Sequence, residues 1–278
     1  MGRRILSIYD LGRLSKMRGQ FSFREAPLFK AILETLNCIN SCVTFEFSSE
    51  ALSVRQLDST RVAMADYVIP KECFEDWIPP ETQKKKFKLD VQGILAVFPK
   101  VSRDTRLHIE LESEQAIFSF IDAGKVRRRF FQMLAVEELE EYPPPAIEGA
   151  KCKIWLKPFI EDLQELKKVF GESTATLSLD EIGEKLIVHG KGENIRFIKR
   201  FINTYKLGEG ILLQLEGQAK SKYNIAQLNA YAFPPPILHL SEVANIEFGN
   251  DTPLKVAFTP KNMLLADAKF THYLACIV

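Results

Sequence analysis

The chain has 278 residues, of which 46% are hydrophobic and 26% are charged, and its formal net charge at pH 7 is +1. This length accommodates two domains of ordinary size, and the balanced charge excludes the overall basic excess that is typical of many nucleic-acid-binding proteins. No apolar run approaches the roughly 20 residues of a spanning helix, and no secretory signal pattern is present, so we expect the protein to stay inside the cell.

Short strands are predicted along most of the chain because apolar and polar residues alternate. The first such segment is 43–48, in which Val43, Phe45 and Phe47 occupy every second position. A period of two places one face of a strand in a core and the other in water or against a partner. The sequence therefore predicts antiparallel sheets. The same alternation recurs at 107–112, 175–180, 211–216, 243–248 and 254–258.

Four segments break the alternation and are predicted to be helical: 27–39, 89–98, 158–170 and 223–231. In the first of them Leu28, Ile32 and Leu36 share one face, and Pro27 suits the first helical position. The helices begin roughly every 65 residues, which indicates four copies of one helix-plus-strands unit. We therefore predict an α+β protein with two similar domains, each built from two copies.

An acidic, proline-rich stretch, 137–145, divides the chain near its middle and predicts an extended surface linker. We accordingly place a first domain at 17–134, a connector at 135–150 and a second domain at 151–278. A second proline run, 234–236, is expected to end the fourth helical segment.

The sequence carries no recognisable active-site motif. No motif of a nucleotide-binding loop, serine hydrolase or zinc protease is present, and the four histidines lie far apart in sequence. Asp58, followed by Ser59 and Thr60, is more typical of a turn than of a catalytic cluster. The five cysteines are odd in number and are expected to be reduced core thiols; Cys38 and Cys42 could sit on a metal, but no second pair accompanies them. We therefore predict that the protein is not an enzyme and that it holds neither a metal nor a cofactor.

Three short motifs carry a resemblance to a known family. The sequence Leu57 to Val62, LDSTRV, resembles a strand-turn-strand of proliferating cell nuclear antigen (PCNA), the sliding clamp of archaea and eukaryotes. The segment 267–275, ending in Tyr-Leu-Ala, resembles the closing strand of that family, and 253–256 matches the strand before it. The resemblance runs with gaps from about Gln20 to the C-terminus, and the acidic linker falls at the family's interdomain connector.

The resemblance implies a specific assembly and function. Family members are two-domain, non-catalytic chains whose trimers form a pseudo-sixfold ring, with helices lining a DNA channel and sheets forming the outer wall. The chain would then be a DNA polymerase processivity factor in replication and repair, in the cytoplasm if archaeal or in the nucleus if eukaryotic. The implied partners are double-stranded DNA bound without sequence preference, sister clamp subunits, DNA polymerase, flap endonuclease, DNA ligase and a clamp loader.

The resemblance also implies a pocket for partner peptides beneath the connector. An exposed apolar patch beside a linker suits a peptide with aromatic anchors. The alternative is that Leu57, Met64 and Leu274 are ordinary core residues. Carried over by position, the pocket consists of Leu57, Arg61, Met64, Leu139, Tyr142, Pro253, Tyr273, Leu274 and Ala275.

A sliding ring should contact phosphates through Lys and Arg on the channel side of its helices, without reading bases. The third helix also carries Glu161, Asp162 and Glu165, so a solvated helix face is an open alternative. The candidates for DNA contact are Lys30, Lys100, Arg103, Lys167, Lys168, Lys220 and Lys222.

Ring closure in the family joins an edge strand of one subunit to an edge strand of the next. By position these strands are 127–133 and about 196–204, and both are basic. Like charges disfavour self-pairing, so we hypothesise a heterotrimer with acidic sister subunits. The interface residues are Arg127, Arg128, Arg129, Phe130, Phe131, Arg196, Phe197, Lys199 and Arg200.

The chain departs from the family pattern at its C-terminal motif and in its first residues. Cys276 replaces the proline that usually follows the Tyr-Leu-Ala ending. Met17 stands near the family's own first residues, so we expect residues 1–16 to be a flexible extension or the result of a misassigned start codon. The alternatives to a replication clamp are a checkpoint-type clamp loaded at DNA damage and an enzyme on an antiparallel scaffold.

Overall fold

The computed structural model describes residues 19–112, 114–136, 142–182, 184–191, 196–202 and 212–277. Within this part the chain repeats one unit four times, a strand followed by a helix and three strands. This arrangement confirms the predicted α+β class and the helix-plus-strands repeat. The elements of the first half are β1 Gln20–Phe23, α1 Ala26–Asn37, β2 Cys42–Ser48, β3 Ala51–Leu57, β4 Ala63–Pro70, β5 Asp76–Ile78, β6 Lys84–Asp90, α2 Val91–Ala96, β7 Arg106–Leu111, β8 Gln115–Asp122 and β9 Lys125–Gln132.

The second half repeats the unit twice more, with β5 and its counterpart β14 standing outside the repeats. Short 3-10 turns occur at Lys71–Cys73, Pro235–His239 and Met263–Leu265. The remaining elements are β10 Ala150–Trp155, α3 Leu156–Phe170, β11 Thr174–Asp180, β12 Lys185–Lys191, β13 Arg196–Ile202, β14 Leu212–Glu216, β15 Ala219–Asn224, α4 Ile225–Gln227, β16 Ser241–Phe248, β17 Leu254–Pro260 and β18 Lys269–Leu274.

Two of the predicted helices are shorter than expected. The second begins only at Val91, because the carboxylate of Asp90 accepts a hydrogen bond from the Gly93 N–H at 2.9 Å and caps the helix there. The fourth contains the single α-helical turn α4 followed by a π-helical turn, Leu228–Ala232, while Tyr223 belongs to β15. Sequence periodicity alone overestimated the length of the second helix, and in the fourth it missed the start at Ile225 and the change from α- to π-helical geometry.

The strands form three antiparallel sheets among the described residues. A five-stranded sheet has the order β5-β1-β7-β8-β9, and a four-stranded sheet has the order β13-β12-β11-β15. A nine-stranded sheet, β14-β10-β16-β17-β18-β4-β3-β2-β6, takes strands from both halves of the chain. The halves are therefore joined through the pairing of β4 with β18.

Each sheet has a core face, against which the helices pack, and an opposite outer face. In β2 the side chains of Val43, Phe45 and Phe47 are buried on the core face, as the alternation predicts. The prediction that all five cysteines are core thiols is only partly right: Cys73 and Cys152 are buried, whereas the other three cysteines are half-buried. The core is one continuous cluster that includes residues of both halves.

A buried hydrogen-bonded chain crosses the junction between the halves. Nδ1 of His272 on β18 lies 2.6 Å from the Tyr231 carbonyl oxygen, so Nδ1 carries the proton and Nε2 accepts from the Tyr67 hydroxyl on β4 at 2.7 Å. Burial lowers the pKa of His272 from 6.5 to about 4. The division into two domains joined by a connector at 135–150 stays a prediction, and residues 137–141 of the connector lie outside the described residues. Residues 1–16, expected to be an extension, also lie outside them.

Candidate partner-binding surface and ring edges

The turn between β3 and β4 is organised by one buried carboxylate. Asp58 accepts hydrogen bonds from the backbone N–H groups of Thr60 at 3.0 Å and of Val62 and Ala63 at 2.8 Å. Arg61 in this turn has a φ of +60°, in the left-handed region. Asp58 therefore has the turn role that the sequence favours over a catalytic one.

Arg61 contacts the connector. Its Nη1 donates to the hydroxyl of Tyr142 at 3.0 Å, and its guanidinium carbon lies 5.5 Å from the centre of the Tyr142 ring. Such a cation–π contact contributes about 0.5–1 kcal/mol at an exposed site. The structure thus brings together two predicted pocket residues that are 81 positions apart in sequence.

An apolar cluster, which we define as Leu57, Met64 and Tyr273, lies beside this contact on the outer face of the nine-stranded sheet. Met64 is directly opposite Leu57 on one side and Tyr273 on the other. Met64 and Tyr273 are only 4% and 9% exposed, although both stand outside the main core cluster. Burial raises the pKa of Tyr273. Three of the predicted pocket residues therefore form one contiguous, largely buried apolar cluster on the outer side of the sheet.

The other predicted pocket residues are placed differently. Leu274 is fully buried and lies opposite Ala63 and Leu254 on the core face, so the alternative interpretation as a core residue is the right one for its side chain. Pro253 and Ala275 are half-buried nearby, and the Ala275 N–H donates to the Val62 carbonyl at 2.8 Å. Leu139 lies outside the described residues.

Most of the predicted DNA-facing residues are accessible on helices or the loops that follow them. Lys30 on α1 is half-exposed and forms an ion pair with Glu34 at 3.2 Å. Lys100 and Arg103 are exposed in the loop after α2. Lys167 and Lys168 are exposed in the last turn of α3, where positive charges interact favourably with the negative end of the helix dipole.

Lys220 and Lys222 are not on the helix side, and that prediction was wrong. Alternation along β15 buries Ala219, Ser221 and Tyr223, and turns the two lysines to the opposite face. The buried face is the one toward α3, because a Cβ at Gly190, in the same cross-strand row as Tyr223, would meet side chains of α3. Lys220 and Lys222 therefore lie on the outer face of the four-stranded sheet.

β9 and β13 are edge strands of their sheets, each with one neighbour among the described strands. On the outer face of these edges, Phe130 of β9 is 61% exposed and Ile198 of β13 is 51% exposed. Lys199 is not a free interface cation, since its Nζ lies 2.6 Å from Oδ1 of Asp162 on α3. Phe131 and Phe197 pack toward the core, while the remaining predicted edge residues are exposed or half-exposed: Arg127, Arg128, Arg129, Arg196 and Arg200.

The repeat explains why these two edges matter. β4 and β18 are the last strands of the first and fourth repeats, and they pair antiparallel with each other inside the chain. β9 and β13 are the last strands of the second and third repeats and have no such partner among the described strands. β9 and β13 are therefore open at sheet edges, although they are the same kind of strand as β4 and β18, which pair within the chain.

A polar groove of about 290 Å³ lies on the same outer face as the apolar cluster, and the sequence predictions missed it. Strand alternation could have placed Lys151 and Lys153 on one outer face, but which strands lie beside them depends on long-range pairing.

Among the described residues, no group of histidine, cysteine and carboxylate side chains gathers as a metal site. No helix in this part of the chain is long and apolar enough to cross a bilayer.

Four strand-helix-three-strand repeats, joined through a central sheet, with the last strands of the second and third repeats at sheet edges, define the fold of the ring-forming DNA sliding clamps. Solved structures share this fold. The PCNA2-PCNA3 complex of Sulfolobus tokodaii matches with a TM-score of 0.78 over 92% of this chain and 98% of that chain, at 22% identity. The PCNA of A. fulgidus, in a structure with the C-terminal region of FEN-1 bound, matches with a TM-score of 0.74 over 94% of this chain and 98% of that chain, at 17% identity.

Curated archaeal proteins extend the likeness to sequence. A DNA polymerase sliding clamp of Thermofilum pendens is 26% identical over 239 residues, covering 86% of this chain and 92% of the relative. DNA polymerase sliding clamp 3 of Sulfurisphaera tokodaii is 25% identical over 236 residues, covering 84% and 91%. No family model matches the chain. The relatives and the fold together confirm the resemblance to archaeal PCNA-type clamps that the sequence motifs predict.

Proposed function

We propose that this chain is one subunit of a DNA polymerase sliding clamp, a ring that encircles duplex DNA and tethers replication and repair enzymes without catalysing a reaction itself. The observation that carries the proposal is the pair of open edge strands, β9 and β13, which repeat the position of the joined strands β4 and β18. Exposed strand edges are normally covered or paired in native proteins. Pairing β9 with β13 of the next subunit would close a ring by the same contact that joins the halves.

The ring would work inside the cell, where its DNA is. We propose 17–134 and 151–278 as its two clamp domains, joined by the connector 135–150. The helices would face the channel, where their exposed basic residues would contact phosphates loosely, so that the ring slides. These residues are Lys30, Lys100, Arg103, Lys167 and Lys168. The outer face would bind DNA polymerase, flap endonuclease, DNA ligase and the clamp loader.

The subunit composition follows from charge. β9 carries three consecutive arginines, and β13 carries Arg196 and Arg200 on its exposed side. Pairing these two edges in identical copies would bring like charges together, which destabilises a strand pair. We therefore propose a heterotrimer in which sister subunits offer acidic edges. The PCNA2-PCNA3 complex with a similar fold contains two different clamp chains.

The composition is tested by measuring mass with light scattering after size-exclusion chromatography at physiological salt. We expect the chain alone to be a monomer and to enter a trimer with candidate sister clamps. A variant with Arg128→Glu and Arg129→Glu should self-associate, because its acidic β9 can pair with the basic β13 of another copy. A stable homotrimer of the unaltered chain would contradict the heterotrimer.

The matched control applies the same charge change away from both edges, as Lys157→Glu with Lys269→Glu. Both lysines are exposed, on α3 and β18. This control should stay monomeric; if it self-associates as well, net charge rather than edge chemistry governs assembly.

Partner binding is proposed at the apolar cluster Leu57, Met64 and Tyr273, with Arg61 and Tyr142 at its rim and Pro253 and Ala275 beside it. A C-terminal region of FEN-1 is bound to the PCNA of similar fold, which supports a peptide as the ligand. The test is stimulation of a DNA polymerase on primed DNA by the assembled ring. Met64→Lys should abolish stimulation by placing a charge in the cluster, while the trimer mass is unchanged. Full stimulation with this variant would place the partner site elsewhere.

A further inference from the structure

The polar groove begins one strand away from the apolar cluster. In the outer-face row that crosses the sheet, Tyr273 on β18 is directly opposite Lys255 on β17, and Lys255 lines the groove. The groove then extends across β16 and β10 to the edge strand β14. Its charged lining residues are Lys151, Lys153, Lys255, Glu216 and Glu247.

One carboxylate in the groove is already compensated. The oxygens of Glu247 lie 3.2 Å from the Lys255 Nζ and 3.6 Å from the Lys151 Nζ, and the Glu247 side chain is only 17% exposed. Glu216 stands at the far rim, on β14, directly opposite Lys151. The lining has three lysines and two glutamates, a net charge of +1.

Lys153 carries the uncompensated positive charge. Its cross-strand neighbours are the amides Gln214 on β14 and Asn245 on β16, and no ion pair involves it in the described part of the chain. Next to Asn245 in the same row is the small side chain of Ala257, which leaves open space in the floor. Lys153 is half-buried as a residue, and its ammonium together with the two neighbouring amide side chains offers several N–H donors to one anion.

We propose that this groove binds an acidic side chain of the same partner segment that the apolar cluster anchors. The inference rests on the proposed function, because the apolar cluster supplies the anchor. The Lys153 ammonium would pair with the carboxylate, and the amide groups of Gln214 and Asn245 would donate to its oxygens. A basic residue of the partner would instead be repelled by Lys153 and Lys255. Glu247 would not attract it, because Glu247 already forms ion pairs with Lys151 and Lys255.

The spacing sets where the acidic residue lies in the partner. β18 and β10 are three strand spacings apart, about 14 Å, and Lys153 lies two residues, about 7 Å, along its strand from the row of Tyr273. The two residues are therefore about 16 Å apart, and an extended peptide advances about 3.3 Å per residue. The acidic residue should therefore stand about four or five positions from the aromatic anchor. This geometry defines a class of partner, one whose apolar anchor is followed or preceded by aspartate or glutamate at that distance.

The experiment uses the full chain and three synthetic fluorescent peptides with a common aromatic-aliphatic anchor. Their flanks carry glutamate, glutamine or lysine at the fourth and fifth positions, and dissociation constants are measured by anisotropy. We expect the glutamate peptide to bind about fivefold more tightly than the glutamine peptide, as for a partly exposed ion pair. The difference should shrink in 0.5 M salt.

Variants at Lys153 assign the effect. Lys153→Gln should make the glutamate and glutamine peptides equal, and Lys153→Glu should favour the lysine peptide. Lys157→Gln removes an exposed charge on α3, on the core side of the sheet, and should leave the preference intact. Met64→Lys should weaken all three peptides alike.

The outcomes separate the two proposals. Equal binding of the glutamate and glutamine peptides, or tighter binding of the lysine peptide to the unaltered chain, overturns the acidic groove and leaves the anchor site standing. A glutamate preference that survives Lys153→Glu also overturns it. Binding of none of the peptides overturns the partner site and the groove together.

Discussion

The joined strands β4 and β18 and the open strands β9 and β13 occupy equivalent places in the repeat, yet their chemistry differs. The closed junction buries Tyr67, Phe270 and His272 in a hydrogen-bonded, aromatic contact. The open edges carry arginines and exposed apolar side chains such as Phe130. A junction between strands of one chain can be apolar and buried. An unpaired edge strand is exposed to water, so its side chains must be compatible with solvent, and their charge can discriminate between binding partners.

The largest expected effect compares a leucine of the closed junction with a phenylalanine of an open edge. Leu274→Ala should lower the free energy of unfolding by about 3 kcal/mol, because Leu274 is fully buried and truncation leaves a cavity. Phe130→Ala should change it by less than about 0.5 kcal/mol in the isolated chain, because Phe130 is mostly exposed. Urea unfolding of both variants measures the contrast, and similar losses would remove the distinction between the two places.

The second prediction concerns pH at the closed junction. His272 has a pKa of about 4 when folded and about 6.5 when unfolded, so the unfolded chain takes up the proton first as pH falls. Stability should therefore decrease from pH 6.5 towards pH 4, by about 3 kcal/mol from this residue. Unfolding should be followed in the unaltered chain and in His272→Gln, which cannot titrate. Parallel pH profiles of the two proteins would show that His272 contributes nothing to acid sensitivity.

The smallest expected effect is at the contact between the β3–β4 turn and the connector. Arg61→Lys keeps the charge but loses the planar guanidinium contact with Tyr142, which costs about 0.5 kcal/mol. Global stability should hardly change, while amide hydrogen exchange at 142–148 should become faster. Tyr142→Phe, which keeps the ring and loses only the hydroxyl, is the milder comparison. Unchanged exchange in Arg61→Lys would mean that other contacts hold this segment.

The sequence predicted what depends on local pattern. Alternation in 43–48 gave β2 and its buried face, and the motif around Asp58 gave the turn that brings Arg61 to the connector. These features are local because each is decided by period-two burial or by a side chain bonding to nearby backbone.

What the sequence did not predict depends on capping and on strand pairing. Nothing in the periodicity of 89–98 requires the helix to start at Val91, since the Asp90 cap decides it. Lys220 and Lys222 were assigned to the helix side because a helix was expected nearby, whereas strand alternation turns them outward. Lys199 likewise meets Asp162, 37 positions away, only through the packing of α3 on its sheet.

The central position of β18 has a consequence for biosynthesis. The ribosome makes β18 after every other strand of the nine-stranded sheet, yet β18 lies between β17 and β4 in the middle of that sheet. The emerging chain must therefore hold β4 and β17 as unpaired edges until residues 269–274 have left the exit tunnel. A chain cut short before β18 would keep both edges bare, which favours aggregation and recognition by chaperones.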